Sequence, residues 1–122
     1  MAKLVCDGFE LKLSAVDILN AEFEITSTAS SDILIGSSGV CFDRITATLT
    51  SATYNGLPLA GPVAFIINGS CEDVLEGSKK AVLDTDESSD ATLNFVSGSS
   101  TVPYPNAVKM QIKDAGQDDV EV

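Results

Sequence analysis

Short apolar runs separated by turn-forming steps fill the chain. Runs of roughly four to eight residues are divided by Asp-Gly, Asn-Gly or Gly-Ser, which suit tight turns between antiparallel strands. In the run after Asp7-Gly8, the residues Phe9, Leu11 and Leu13 alternate with polar residues, which is the period of a strand with one face toward water. The pattern predicts an all-β fold in which short glycine-centred hairpins are the unit of construction.

The predicted strands follow this punctuation along the whole chain. Segments 3–6 and 9–13 are expected to pair across the Asp7-Gly8 turn. Later strands are predicted at 22–28, 33–35, 40–42, 44–54, 57–59, 63–67, 80–83, 92–96 and 107–112, with loops at Gly36–Gly39, Asn55-Gly56 and 97–101. Pairs of a hydroxyl and a carboxylate that fit a helix N-cap predict a short helical turn at two places, Ser14 with Asp17 and Ser70 with Asp73.

A weak repeat and the chain length bear on the architecture. Segments 4–13, 33–42 and 74–83 each contain an apolar stretch, a glycine, a polar step and a second apolar stretch. Any set of β-hairpins has this appearance, so both a cone of equivalent hairpins around one axis and a β-sandwich remain open. With 122 residues, 44% of them apolar, we expect one small β domain, 1–113, and an acidic C-terminal segment, 114–122, that frays.

The charge of the chain is strongly negative and unevenly distributed. Seven basic and 18 acidic side chains give a formal charge of −11, which repels phosphate and anionic lipid and disfavours a nucleic-acid partner. Most of the excess lies in residues 72–90 and 114–122, which are interpreted either as solvated loops that keep the protein soluble or as a site for a cation or a basic partner. We therefore expect a protein partner.

The N-terminal segment and the hydropathy of the chain predict where the protein is made. Charged residues from Lys3 to Lys12 interrupt any apolar stretch near the N-terminus, so no secretory signal peptide is expected. No run approaches the roughly 18 apolar residues that a membrane span needs. We expect synthesis in the cytoplasm, with export, if any, as part of an assembled particle.

The residue types present argue against catalysis. The chain has no histidine, which removes the commonest general base, proton shuttle and metal ligand. Its serines are concentrated in turns, where hydrogen bonds from the hydroxyl to the backbone account for them. We predict that the protein is not an enzyme and needs no cofactor other than a possible metal ion.

One acidic segment has the spacing of a calcium-binding loop. In the sequence DTDESSD, four residues are spaced as the first oxygen ligands of such a loop: Asp84, Asp86, Ser88 and Asp90. Ser89 stands where the sharp turn favours glycine, and Phe95 stands where the bidentate glutamate is expected. A calcium site and an acidic hairpin loop are the two interpretations.

Three cysteines supply a second candidate metal site. Cys6, Cys41 and Cys71 are an odd number at wide spacing, which fits neither a disulfide framework nor a CxxC zinc motif. Each lies beside one hairpin of the weak repeat. Either the thiols are reduced and buried, or the hairpins converge and three thiolates meet around a soft metal.

Three segments together resemble the PAAR-like spike-tip proteins of contractile injection systems: KLVCDGFELKLS, SSDILIGSSGVCFDRI and GSKKAVLDTDESSDATLNF. The closest match to a hairpin element of that family consists of Gly77, Lys79, Lys80, Ala81, Val82, Leu83 and Asp84. The resemblance is spread over residues 3–95. The Pro-Ala-Ala-Arg signature is absent, and without histidine a tip metal site would rest on the cysteines.

The resemblance implies a structural role in an assembly. A member of this family would be a non-catalytic tip that caps the trimeric spike of a type VI-like or phage-tail-like apparatus and assists membrane piercing. Three other functions are compatible with the sequence. One is a viral or phage decoration or tail protein with a β-sandwich, and another is an acidic inhibitor that mimics DNA. The third is a calcium-binding adhesion module.

Overall fold

All of the regular secondary structure in the described residues is β. The structure is a computed structural model that describes residues 2–122, apart from the side chains at 27 and 28; Met1, where the predicted domain begins, lies outside the described residues. The strands are β1 (Glu10–Leu13), β2 (Ile18–Ile35), β3 (Ser38–Tyr54), β4 (Leu57–Pro58), β5 (Val63–Asn68), β6 (Cys71–Glu76), β7 (Lys79–Ala81), β8 (Asn94–Ser97), β9 (Ser100–Pro103) and β10 (Met110–Asp114). The predicted all-β class is confirmed.

The longest hairpin joins β2 to β3 through a two-residue turn at Gly36-Ser37. Its strands have 18 and 17 residues, so the short strands predicted at 22–28 and 33–35 form one continuous strand. The register of the hairpin shifts at several points, including one between Ser27 and Ala29. We call residues 18–27 and 45–54 the lower part of the hairpin, and residues 29–35 and 38–41, next to the turn, the upper part. The prediction of uniformly short hairpins was wrong for this unit, because bulges let one strand bend without ending.

β3 is the central strand of the largest sheet. It pairs with β2 along one side and with β4, β5 and β7 in turn along the other. The Asn55-Gly56 turn into β4 is confirmed, with both residues at positive φ. β6 and β7 form a short hairpin that extends the sheet beyond β3.

Two smaller sheets form a second layer over the lower part of the hairpin. β1 pairs with β10, and β8 pairs with β9. Side chains from both layers meet in the larger core cluster, which includes Leu13, Ile45, Leu49, Phe65, Leu93, Phe95, Val108 and Met110. Because burial of apolar area drives folding, this two-layer core is the main source of stability.

A smaller apolar cluster lies on the upper part of the hairpin. It contains Leu4, Cys6, Val40, Phe42, Cys71 and Ala81. Successive residues of a strand point to opposite faces, so Val40 and Phe42 enter this cluster while Cys41 enters the larger one. β3 therefore carries side chains into both clusters.

Three local predictions were wrong. The segment predicted to start a helical turn at Ser70 becomes β6, since pairing with β7 satisfies its backbone. Ser14–Asp17 is a non-helical turn. Residues 3–6 do not pair with 9–13; β1 pairs instead with β10, and Cys6 and Leu4 bridge to Val40 and Leu83.

The two chain ends lie against each other. The Val122 amide donates to the Ala2 carbonyl at 2.8 Å. The Gln117 side-chain amide donates to the Leu4 carbonyl at 2.9 Å. The Lys3 ammonium contacts Asp118 at 3.1 Å. Segment 114–122, which the sequence led us to expect to fray, is thus hydrogen-bonded to residues 2–4.

Candidate functional site

The three cysteines are buried and are not in disulfides. Cys6 and Cys71 pack in the smaller cluster, whereas Cys41 packs in the larger cluster on the opposite face of β3. Burial raises the pKa of the Cys6 thiol, which disfavours the thiolate that a soft metal needs. Within residues 2–122 as described, no three histidine, cysteine or acidic side chains come together as a metal site. The structure does not bring the three thiols together.

The first two carboxylates of the acidic segment accept hydrogen bonds from the protein. Asp84 Oδ1 accepts from the Lys3 amide at 2.9 Å. Asp86 Oδ2 accepts from the Leu83 amide at 2.8 Å, and its Oδ1 accepts from the Ser70 hydroxyl. These bonds hold a turn that joins the N-terminal segment to the chain after β7. Both carboxylates thus have a structural role.

Ser88, the third predicted calcium ligand, is buried and makes two hydrogen bonds with its hydroxyl. Its Oγ accepts from the Met110 amide at 2.8 Å and donates to the Ser89 carbonyl at 3.0 Å. Its hydroxyl therefore joins the 84–90 segment to β10. Asp90, the fourth, lies apart from that turn in a surface cleft. The four predicted ligand oxygens do not converge on one point among the described residues.

That cleft lies beside β5 and has a volume of about 370 Å³. Its polar lining consists of Arg44, Asn68, Ser88, Ser89 and Asp90. The Arg44 guanidinium is also 3.5 Å from Asp43, whose backbone has a φ of 68°. Arg44 and Asp90 give the lining one positive and one negative formal charge.

The outer edge of β2 is the most extensive feature available for a partner. β2 is the end strand of the largest sheet, and no described strand pairs with its outer side. Proteins usually protect such edges with lysine, proline or short strands. Segment Ile18–Ile35 contains no lysine, arginine or proline and has 18 residues. Its bulges and its acidic side chains are the protective devices present, and the bulges leave segment 23–27 in regular register.

The regular segment, 23–27, has distinct chemistry on its two faces; we call it the β2 edge. Phe23 and Ile25 lie opposite Leu49 and Ala47 and therefore share the face that covers the core. Phe23 is half-buried, whereas Ile25 remains 45% exposed on this end strand of the sheet.

The opposite face of the β2 edge carries Glu24, and Glu22 lies one residue before the edge, across a register shift. Glu22 and Glu24 are exposed, and neither takes part in an ion pair within the described part of the chain. Sequence reasoning missed this site because the edge position depends on which strands pair. The absence of lysine and proline from a long alternating segment was the available signal.

In comparisons with known proteins, no family model, curated protein or solved structure matches the chain. In the described part of the chain there is no helix with the length and apolar character needed to cross a membrane.

Proposed function

We propose that this protein is a non-catalytic structural subunit that docks onto a larger protein assembly through the β2 edge. The single observation that carries the proposal is the long outer side of β2, with which no described strand pairs. An added strand would satisfy its free amides and carbonyls and would bury Ile25. The absence of histidine from the sequence supports a role without catalysis.

The specific assembly that we propose is the trimeric spike of a contractile injection apparatus, with this protein as its tip. The support is the sequence resemblance to PAAR-like proteins. The hairpin of β6 and β7, which turns at Gly77, coincides with part of the best-matching element. A sheet held by two core clusters suits a part that must transmit force without opening.

A second candidate is a decoration or tail protein of a virus or phage. The observation that favours it is the two-layer arrangement around the larger core cluster, which is the arrangement expected of a β-sandwich. Both candidates bind a larger assembly through a surface of the protein. They differ in the identity of the partner and in the symmetry of binding.

Reconstitution with purified partners tests the proposal. We expect the protein to co-elute with a trimeric spike protein of the same organism, at one copy per trimer, by size-exclusion chromatography with light scattering. Binding to capsid or tail-tube particles in many symmetric copies would support the second candidate instead. Failure to bind any of these particles would contradict a structural role. Binding to proteins that recognise double-stranded DNA, instead of to these particles, would support the alternative of an inhibitor that mimics DNA.

A further inference from the structure

We infer that the β2 edge takes an extended strand of a partner protein that carries lysine or arginine on one face and apolar residues on the other. This inference rests on the proposed function and names the partner chemistry of the same site. The β2 edge offers backbone groups for pairing, two apolar side chains on one face and flanking carboxylates on the other. Each of these features sets a requirement for the occupant.

The backbone sets the first requirement. β2 uses one side of its backbone to pair with β3, from Phe23 opposite Leu49 to Ser27 opposite Ile45. The other side is left with the alternating donors and acceptors that an extended segment can pair with. The occupant is therefore a strand without proline in the paired part.

The two faces set the second requirement. A paired strand places side chains directly opposite those of β2, on the same face. Residues opposite Phe23 and Ile25 cover these two partly exposed apolar side chains and are therefore apolar. Residues opposite Glu22 and Glu24 face two carboxylates that have no described cation partner, so a basic side chain there gains an ion pair.

Charge also decides between a partner and a second copy of this chain. Two β2 edges paired with each other would bring Glu22 and Glu24 of both copies onto the shared acidic face. Each copy also carries a formal charge of −11. Like charges opposite each other destabilise a pair of strands, so self-pairing is disfavoured and a basic strand is favoured.

The test measures binding of labelled peptides to the full-length protein by fluorescence anisotropy. The main probe is a seven-residue peptide that alternates lysine with valine. A second peptide has glutamate in place of lysine, and a third keeps the lysines but has proline at its centre. We expect the first to bind about tenfold or more tightly than either of the others. Hydrogen exchange should show new amide protection within segment 23–27 when the first peptide is bound.

Matched variants locate the site. Ile25→Lys places a charge on the core face of the edge, and we expect it to weaken binding of the lysine peptide about tenfold or more. Ile66→Lys is the control, because Ile66 lies in the same sheet on β5 and is 43% exposed, close to the 45% of Ile25. It should change the affinity less than about twofold. The double variant Glu22→Lys with Glu24→Lys should reverse the preference toward the glutamate peptide.

Two outcomes overturn the inference. One is equal binding of the alternating and proline peptides, which indicates attraction by net charge alone. The other is a dimer of the free protein, by sedimentation, in which segment 23–27 is already protected from exchange. If the protein binds a spike trimer but not the alternating peptide, this inference fails while the proposed function stands. If it binds the peptide at the β2 edge but no assembly, the proposed function fails alone.

Discussion

Replacing Gly39 with alanine tests whether the close approach of β2 to β3 sets the shape of the upper hairpin. A Cβ at this position would lie 2.1 Å from the Ser30 carbonyl oxygen. An ordinary carbon to oxygen contact is about 3.3 Å, so the backbone must separate by about 1.2 Å. Ser30 cannot yield easily, because its Oγ accepts from the amides of Asp32 and Ile33 and donates to Glu76.

The expected cost follows from this geometry. Overpacking usually costs about 1–3 kcal/mol, and a clash between two backbones belongs at the upper end, so we expect Gly39→Ala to lower the free energy of unfolding by about 3 kcal/mol. For a chain of 122 residues, the entropy of unfolding is about 0.26 kcal/mol/K. The same change therefore lowers Tm by about 12 °C.

Urea denaturation followed by circular dichroism measures the effect, and Gly61→Ala is the matched control. A Cβ at Gly61 would meet nothing within 4 Å, and its backbone is not in the left-handed region. We expect this control to be neutral or to stabilise the protein by up to about 1 kcal/mol. The reasoning is refuted if Gly39→Ala is as stable as the wild type, or if both variants lose the same free energy.

Two further predictions concern side-chain hydrogen bonds that link distant parts of the chain. Ser88→Ala leaves the buried Met110 amide without its acceptor, so we expect a loss of about 1–3 kcal/mol in urea denaturation; Ser89→Ala, at an exposed neighbour, should cost less than about 0.5 kcal/mol. The hydrogen bond from the Tyr104 phenol to Asp17 raises the pKa of Tyr104 to about 12. Because the folded pKa lies above the unfolded value near 10, this bond stabilises the fold fully below about pH 10 and its contribution disappears as the pH rises toward 12. Tyr104→Phe should remove that part of the pH dependence of unfolding and the absorbance titration near pH 12, and an unchanged titration would contradict the assignment.

The correct parts of the fold prediction came mostly from turn-forming residues and from the alternation of apolar and polar residues along the strands. Asn55-Gly56 adopts positive φ at both residues, and Gly36 does so in the turn between β2 and β3. The apolar segment 63–67 is β5, with Phe65 and Ile67 in the core as its alternation requires. These features depend on neighbours in sequence, so the sequence is sufficient to predict them.

Features that depend on distant pairing were not predictable from the same patterns. Nothing near β1 indicates that its partner is β10, about a hundred residues away, since Leu11 pairs with Ile112. Ser70 and Asp73 have the spacing of a helix N-cap, but the segment forms β6 because it pairs with β7. The candidate site was missed for the same reason, because the exposure of Ile25 follows from the end position of β2 in the sheet.

The pairing of β1 with β10 has a consequence for the order in which the molecule folds. The hairpin of β2 and β3 closes through a two-residue turn and can form within microseconds, as soon as both strands exist. The larger core also needs Met110 and Ile112 of β10, which are synthesised well after β3 and β5. During synthesis, Ile45, Leu49 and Phe65 therefore remain uncovered on the core side of a formed sheet. A newly made chain depends on β10 for protection from aggregation, and truncation before β10 would leave the larger core without Met110 and Ile112.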